Sequence, residues 1–176
     1  MRTDSELVRE TLAGQREAAG EIYDRYVPLV RGIVRDGRFS LTESDEVVQD
    51  VFLRVLSHLS SLRQPDHLAG WIVQITRTQI ADFRRRAGKA RQREGPVIQE
   101  PVDHRSEIPS DEHQRVHAAI EQLSENERLA VHIFYLSEEP AEVARQSLGL
   151  SPSGFYKTIV KARSRLRALL TKQEVK

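Results

Sequence analysis

Between Lys157 and Arg167 the chain carries Lys157, Lys161, Arg163, Arg165 and Arg167, and no acid interrupts them. Ser151, Ser153, Tyr156 and Thr158 stand at the head of that run. Cations at helical spacing, led by hydroxyl-bearing side chains, suit phosphate contacts and hydrogen bonds to base edges. A plainer reading, a solvated basic face, is common for such charge alone. A second run, Arg84, Arg85 and Arg86, is spread by about 100° per residue around a helix, so its members cannot all face one way. One or two can reach phosphate while another packs or is solvated.

Other chemistry is thinly supplied. The chain has no cysteine, which excludes disulfides, thiolate catalysis and cysteine zinc sites. His113 and His117 stand four apart, as a metal pair on a helix would, but no third ligand follows at a telling spacing. There is no HExxH, no glycine-rich phosphate loop and no GxSxG. The expectation is a protein without an active site, metal or cofactor, whose work is binding.

The 176 residues carry a formal net charge of +1, which hides local patches: acids are frequent from Asp4 to Asp50, and bases cluster later. No apolar run approaches the roughly 20 residues that cross a bilayer, and no apolar signal-peptide core follows Met1. A soluble, cytoplasmic protein is expected.

Periodicity predicts helices throughout. Asp4 or Ser5 is placed to cap a short helix that ends near Gly14. Ile22, Tyr23, Tyr26, Val27, Val30, Ile33 and Val34 form an apolar stripe, with Pro28 inside it expected to kink or split the helix. Val47, Val48, Val51, Phe52, Val55, Leu56 and Leu59 form another. Off that stripe lie Asp45, Glu46, Gln49, Asp50, Leu53 and Arg54, a mainly acidic face with one leucine. Asp66 is the candidate cap of a fourth helix that points Leu68, Trp71, Ile72, Ile75 and Phe83 inward. After Arg86, Gly and Pro breaks and mixed charge give linker composition.

Periodicity returns at Val116. Ser124 and Glu127 match a capping box, and a helix runs from there to about Leu136. Pro140 opens the next helix and Gly149 ends it. Ser151 and Pro152 then cap and open another, with Phe155, Ile159, Ala162 and Leu166 on its inner face. Short helix, glycine turn and capped second helix make a helix-turn-helix outline, whose second helix enters the major groove in DNA-binding versions. The fold class expected is all-α: a helical domain at 4–88, a flexible linker at 89–114, and a helix-turn-helix domain at 115–172.

The segment "LSENERLAVHIFYL…EVARQSLGLSPSGFYKTIVKARSRLRALL" resembles the C-terminal promoter-binding domain of bacterial sigma factors. The N-terminal half resembles the same family through "AGEIYDRYVPLVRGIVR", "DEVVQDVFLRVL" and "HLAGWIVQITRTQIADFRRR". With no large middle domain between the halves, the pattern is that of the extracytoplasmic-function group. The resemblance implies an alternative sigma factor that binds core RNA polymerase, recognises two promoter elements and helps DNA melt. It implies that Asp45, Glu46, Gln49, Asp50, Leu53 and Arg54 dock on the polymerase clamp. It assigns Arg77, Thr78, Gln79, Asp82, Arg84, Arg85 and Arg86 to the downstream element. The loop "SSLRQPDH", with Arg63 and His67, would capture a base flipped from the non-template strand. It assigns Ser151, Ser153, Tyr156, Lys157, Thr158, Lys161, Arg163 and Arg165 to the upstream element. It also suggests an inhibitory anti-sigma partner.

The chain departs from the family at Thr78, often Asn, and at Thr158, often Arg. "SEEPAEV" is about one residue short and "ARQSLG" about one long, with Glu138 and Glu139 where Gly and an apolar residue are common. These departures bear on the base sequence read and less on the role. The residues also admit a stand-alone helix-turn-helix regulator whose N-terminal domain senses a ligand or dimerises. A sigma mimic that binds a regulator but no promoter is the third reading.

Overall fold

A computed structural model describes residues 2–35, 37, 39–94, 111–137 and 139–174; side chains are described except in 90–94, 111–114, 117 and 172–174. Every regular element among these residues is helical. The chain divides into two units, Met1–His104 and Arg105–Lys176.

In the first unit, α1 (Asp4–Leu12) starts from a cap one residue earlier than expected. Thr3 accepts the Glu6 N–H at 3.3 Å, and the Thr3 N–H donates to the Glu6 carboxylate at 2.7 Å. Asp4 is spent elsewhere: Arg25 binds it at 2.9 Å and the Tyr26 hydroxyl donates to it. Arg25 also donates to the Arg2 carbonyl at 2.7 Å and to Glu21 at 3.2 Å, which clips the chain's start onto α2. Gly14, at φ +88°, makes the turn between them.

Helix α2 (Arg16–Arg35) runs through Pro28 as one element. The helix is not split, because Ile22, Tyr26, Leu29, Val30, Ile33 and Val34 bury their side chains on both sides of the proline. That burial outweighs the roughly 3 kcal/mol an interior proline costs. Helix α3 (Leu41–His58) opens on a Ser40–Glu43 capping box and buries Val47, Val48, Val51, Phe52 and Val55. Leu59 is buried in the 3-10 turn Leu59–Ser61 that follows. Leu56, expected inside, is 42% exposed. It stands 100° around the helix from Val55, and Val55 and Leu59 already fill the inner face.

A second 3-10 turn, Pro65–His67, precedes α4 (Leu68–Glu94). Asp66 lies in this turn and accepts the Ser5 hydroxyl, which ties the turn to α1. The inner face of α4 is Leu68, Ala69, Ile72, Val73, Thr76 and Ile80, whereas Trp71, Ile75 and Phe83 are only half-buried. Helices α2, α3 and α4 pack on one another, and α1 packs on α2. Helix α4 continues past Arg86, where composition suggested a linker. Of the expected linker, 95–110 lies outside the described residues.

The second unit holds α5 (Asp111–Glu121), α6 (Glu125–Leu136), α7 (Pro140–Leu148) and α8 (Pro152–Glu174). Helix α8 packs against the other three. Phe155, Ile159 and Ala162 on α8 meet a core that includes Leu123, Leu129, Ile133, Val143 and Ala144. Helix α7 ends at Gly149 in the left-handed region, φ 65° and ψ 21°. Ser151 then accepts the Gly154 N–H at 3.2 Å, with Pro152 as the first helical residue. The expected glycine stop and Ser-Pro start are both present.

Candidate nucleic-acid interface

The turn at Gly149–Ser151 fixes which face of α8 is free. Phe155, Ile159, Ala162 and Leu166 face the core, so Ser153, Tyr156, Lys157, Val160 and Ser164 emerge on the opposite side, all exposed. Among the described residues, Lys157 and Arg163 have no ion-pair partner. A basic side chain beside two hydroxyls at the head of a helix is an arrangement that can hydrogen-bond phosphate and reach base edges. Val160, 65% exposed, adds an apolar contact of the kind a thymine methyl accepts.

The other candidates on α8 have internal commitments. The Ser151 hydroxyl caps the helix, and Thr158 is half-buried with its hydroxyl donated to the Gly154 carbonyl at 2.9 Å. Lys161 lies 3.6 Å and Arg165 3.4 Å from the carboxylate of Glu127, which is 3% exposed at the start of α6. Glu127 is a feature the sequence signalled only as a helix cap. The Ser124 backbone N–H, first, then its hydroxyl and the Lys161 and Arg165 cations, hold this carboxyl below the ordinary value; burial works against them.

In the first unit the three consecutive arginines diverge as their spacing requires. Arg84 donates to the Gly37 carbonyl at 3.2 Å and its guanidinium lies 5.8 Å from the centre of the Phe39 ring. Phe39 is buried and meets Phe83 edge-on at 5.1 Å. A Cβ on Gly37 would collide with the Phe39 ring and come 2.8 Å from the Val34 carbonyl, so glycine is required there. Arg85 binds Asp82 at 2.7 Å. Arg86 binds Asp50 of α3 at 3.1 Å and lies 5.5 Å from the Phe83 ring centre. All three remain exposed.

Gln79 does not belong with them. It is 6% exposed, turned inward beside Thr76 and Ile80, and offers no amide to a nucleic acid on the outer face. Thr78 is exposed, with its hydroxyl bonded to the Gln74 carbonyl at 2.9 Å. Arg77 is half-buried, as is His67, while Arg63 is exposed between the two 3-10 turns.

On α3, Asp45, Glu46, Gln49, Leu53 and Arg54 are exposed. Asp50 is half-buried against Arg86, and Asp45 lies 3.7 Å from Arg31. Leu53 is 59% exposed, and with Leu56 it forms an apolar ridge beside Gln49. The sequence identified Leu53 but missed Leu56, because a spacing of three or four from both Phe52 and Leu59 also fits a core position. Among the described residues no cluster of ligands suits a metal, and no helix is long and apolar enough to cross a membrane. The His113–His117 pair lies outside the described side chains.

Known proteins share this architecture. The family model Sigma-70 region 2 matches residues 22–90, which run from α2 through most of α4. The ECF RNA polymerase sigma factor EcfG of Rhodopseudomonas palustris (strain TIE-1) is 24% identical over 145 residues, 82% of this chain and 80% of its own. Among solved structures, CnrH in complex with the cytosolic domain of CnrY superposes with a TM-score of 0.68 at 24% identity, over 96% of this chain and 97% of that one. The sigma factor RpoE from Bartonella quintana, in complex with the anti-sigma factor NepR, gives 0.63 at 22% identity, over 86% and 96%. The fold is therefore that of these proteins, and residues 22–90 match the Sigma-70 region 2 family.

Proposed function

We propose that this chain is an alternative sigma factor that binds core RNA polymerase and directs initiation at promoters carrying two recognised elements. The observation that supports it best is the pairing of a region 2 match at 22–90 with a second unit whose glycine turn and serine cap present an exposed Ser153–Tyr156–Lys157 face. In this reading α8 reads the upstream element through Ser153, Tyr156, Lys157 and Arg163. The first unit meets the downstream element through Arg63, His67, Arg77, Thr78, Arg84 and Arg85. The polymerase clamp docks on Asp45, Glu46, Gln49, Asp50, Leu53, Arg54 and Leu56, where acidic charge steers encounter and the leucine ridge supplies contact energy.

No catalysis of its own is required. Unstacking a base costs a few kcal/mol, which binding the extruded base offsets, so melting needs neither ATP nor a cofactor. Two DNA-binding units on one chain raise each other's effective concentration without new contacts. The protein works in the cytoplasm, where its polymerase and template are. CnrH and RpoE were each captured with a partner, and an anti-sigma factor is proposed for this chain on that likeness.

The test is binding to core polymerase by the full chain. A stable complex is expected, weakened at least tenfold by Leu53→Asp with the melting temperature unchanged. Tight duplex binding by the chain alone, with no polymerase complex, would favour the stand-alone regulator instead.

A further inference from the structure

Glu127 is buried beyond what its cap requires. Its Oε2 accepts the Ser124 N–H and the Ser124 hydroxyl, each at 2.9 Å, which completes the capping box. Its Oε1 is also buried and, among the described residues, accepts no hydrogen bond. A desolvated carboxylate oxygen needs compensating charge. That charge comes from α8: Lys161 Nζ lies 3.6 Å from Oε1, and Arg165 Nη1 lies 3.4 Å from Oε2. The two cations are four residues apart and so share one edge of the helix, turned by about 40° and 80° from Lys157. Arg163 falls on the opposite edge.

We infer that Glu127 is a positioning residue for DNA reading: it draws the Lys161 and Arg165 side chains toward the start of α6 and leaves phosphate contact to Lys157 and Arg163. The inference rests on the reading of α8 as a DNA-binding helix. A buried anion that engages two of the helix's cations lowers the non-specific grip on phosphate, which carries no sequence information. What remains is a narrower face, Ser153, Tyr156, Lys157 and Val160, aimed at the groove.

The salt dependence of binding separates these roles. The full chain would be titrated onto a fluorescent random-sequence duplex of about 30 base pairs at several low salt concentrations. The slope of log K against log salt drops by about 0.9 for each phosphate contact removed. Lys157→Ala is expected to lower the slope by about that amount, and Lys161→Ala and Arg165→Ala to leave it unchanged. Glu127→Gln keeps the cap, since Gln serves in a capping box, and is expected to steepen the slope by about 0.9 per cation released. Lys161→Ala or Arg165→Ala lowering the slope as Lys157→Ala does would overturn the inference. So would a folded Glu127→Gln protein with the slope of the parent. If Lys157→Ala also changes nothing, α8 is not the DNA reader, and the inference falls with that reading.

Discussion

Single residues set the local geometry on which both interfaces depend. Ser124 and Glu127 start α6, and loss of an N-cap hydroxyl costs about 1 kcal/mol, so Ser124→Ala is expected to lower the melting temperature of the second unit by several degrees. Glu127 adds a pH dependence with a definite sign. Its folded pKa is lowered, so its stabilisation is complete above the unfolded value, about 4.3, and is lost as pH falls through the folded value. The gap in melting temperature between the parent and Glu127→Gln should shrink as pH drops through that window; a gap that widens would mean the wrong cause. Gly149 is legible in the sequence because a left-handed residue between two helices is nearly always glycine. Gly37 is not: its need comes from the Phe39 ring and the Val34 carbonyl, a contact no spacing rule signals. Glu127 was half legible. The Ser-x-x-Glu pattern announces a cap, but the two cations that meet it are 34 and 38 residues away and come together only through packing of α6 and α8.

At the scale of elements, α3 and α4 divide the work of the first unit. Helix α3 turns five apolar residues inward and keeps Leu53 and Leu56 outside, which is costly for a surface with no partner to cover it. Arg86 on α4 reaches Asp50 on α3, so the helices that carry the proposed polymerase and DNA faces are bridged by an ion pair. This pair is largely exposed, and its contribution is modest, below about 1 kcal/mol. Asp50→Ala should therefore leave the unit folded, with thermal unfolding within a few degrees of the parent. Apolar periodicity revealed the existence of these helices because their inner stripes are long. Their ends were less legible. Composition suggested that α4 stops near Arg86, yet it continues to Glu94 through a stretch in which every residue but Gly88 has high helix propensity. The burial of Gln79 is illegible for a related reason: Arg77 and Thr78 beside it suggest an exposed amide, while the helix places it next to Ile80, on the inner face.

At the scale of the whole molecule, two helical units on one chain are proposed to recruit a polymerase to a pair of DNA elements. Charge balance alone would never have suggested it, because a net +1 conceals opposite local surfaces. The all-α class and the helix-turn-helix were legible from periodicity, the capping box, the glycine turn and the Ser-Pro start. The assignment of roles came from resemblance, since a basic helix face has many uses. The most direct test is transcription in vitro. Core bacterial RNA polymerase would be given fragmented genomic DNA from the source organism, with and without this protein, and the 5′ ends of the transcripts sequenced. The account predicts new starts that appear only with the protein and share two upstream motifs at fixed spacing. A protein that binds duplex DNA unaided and yields no new starts would contradict it.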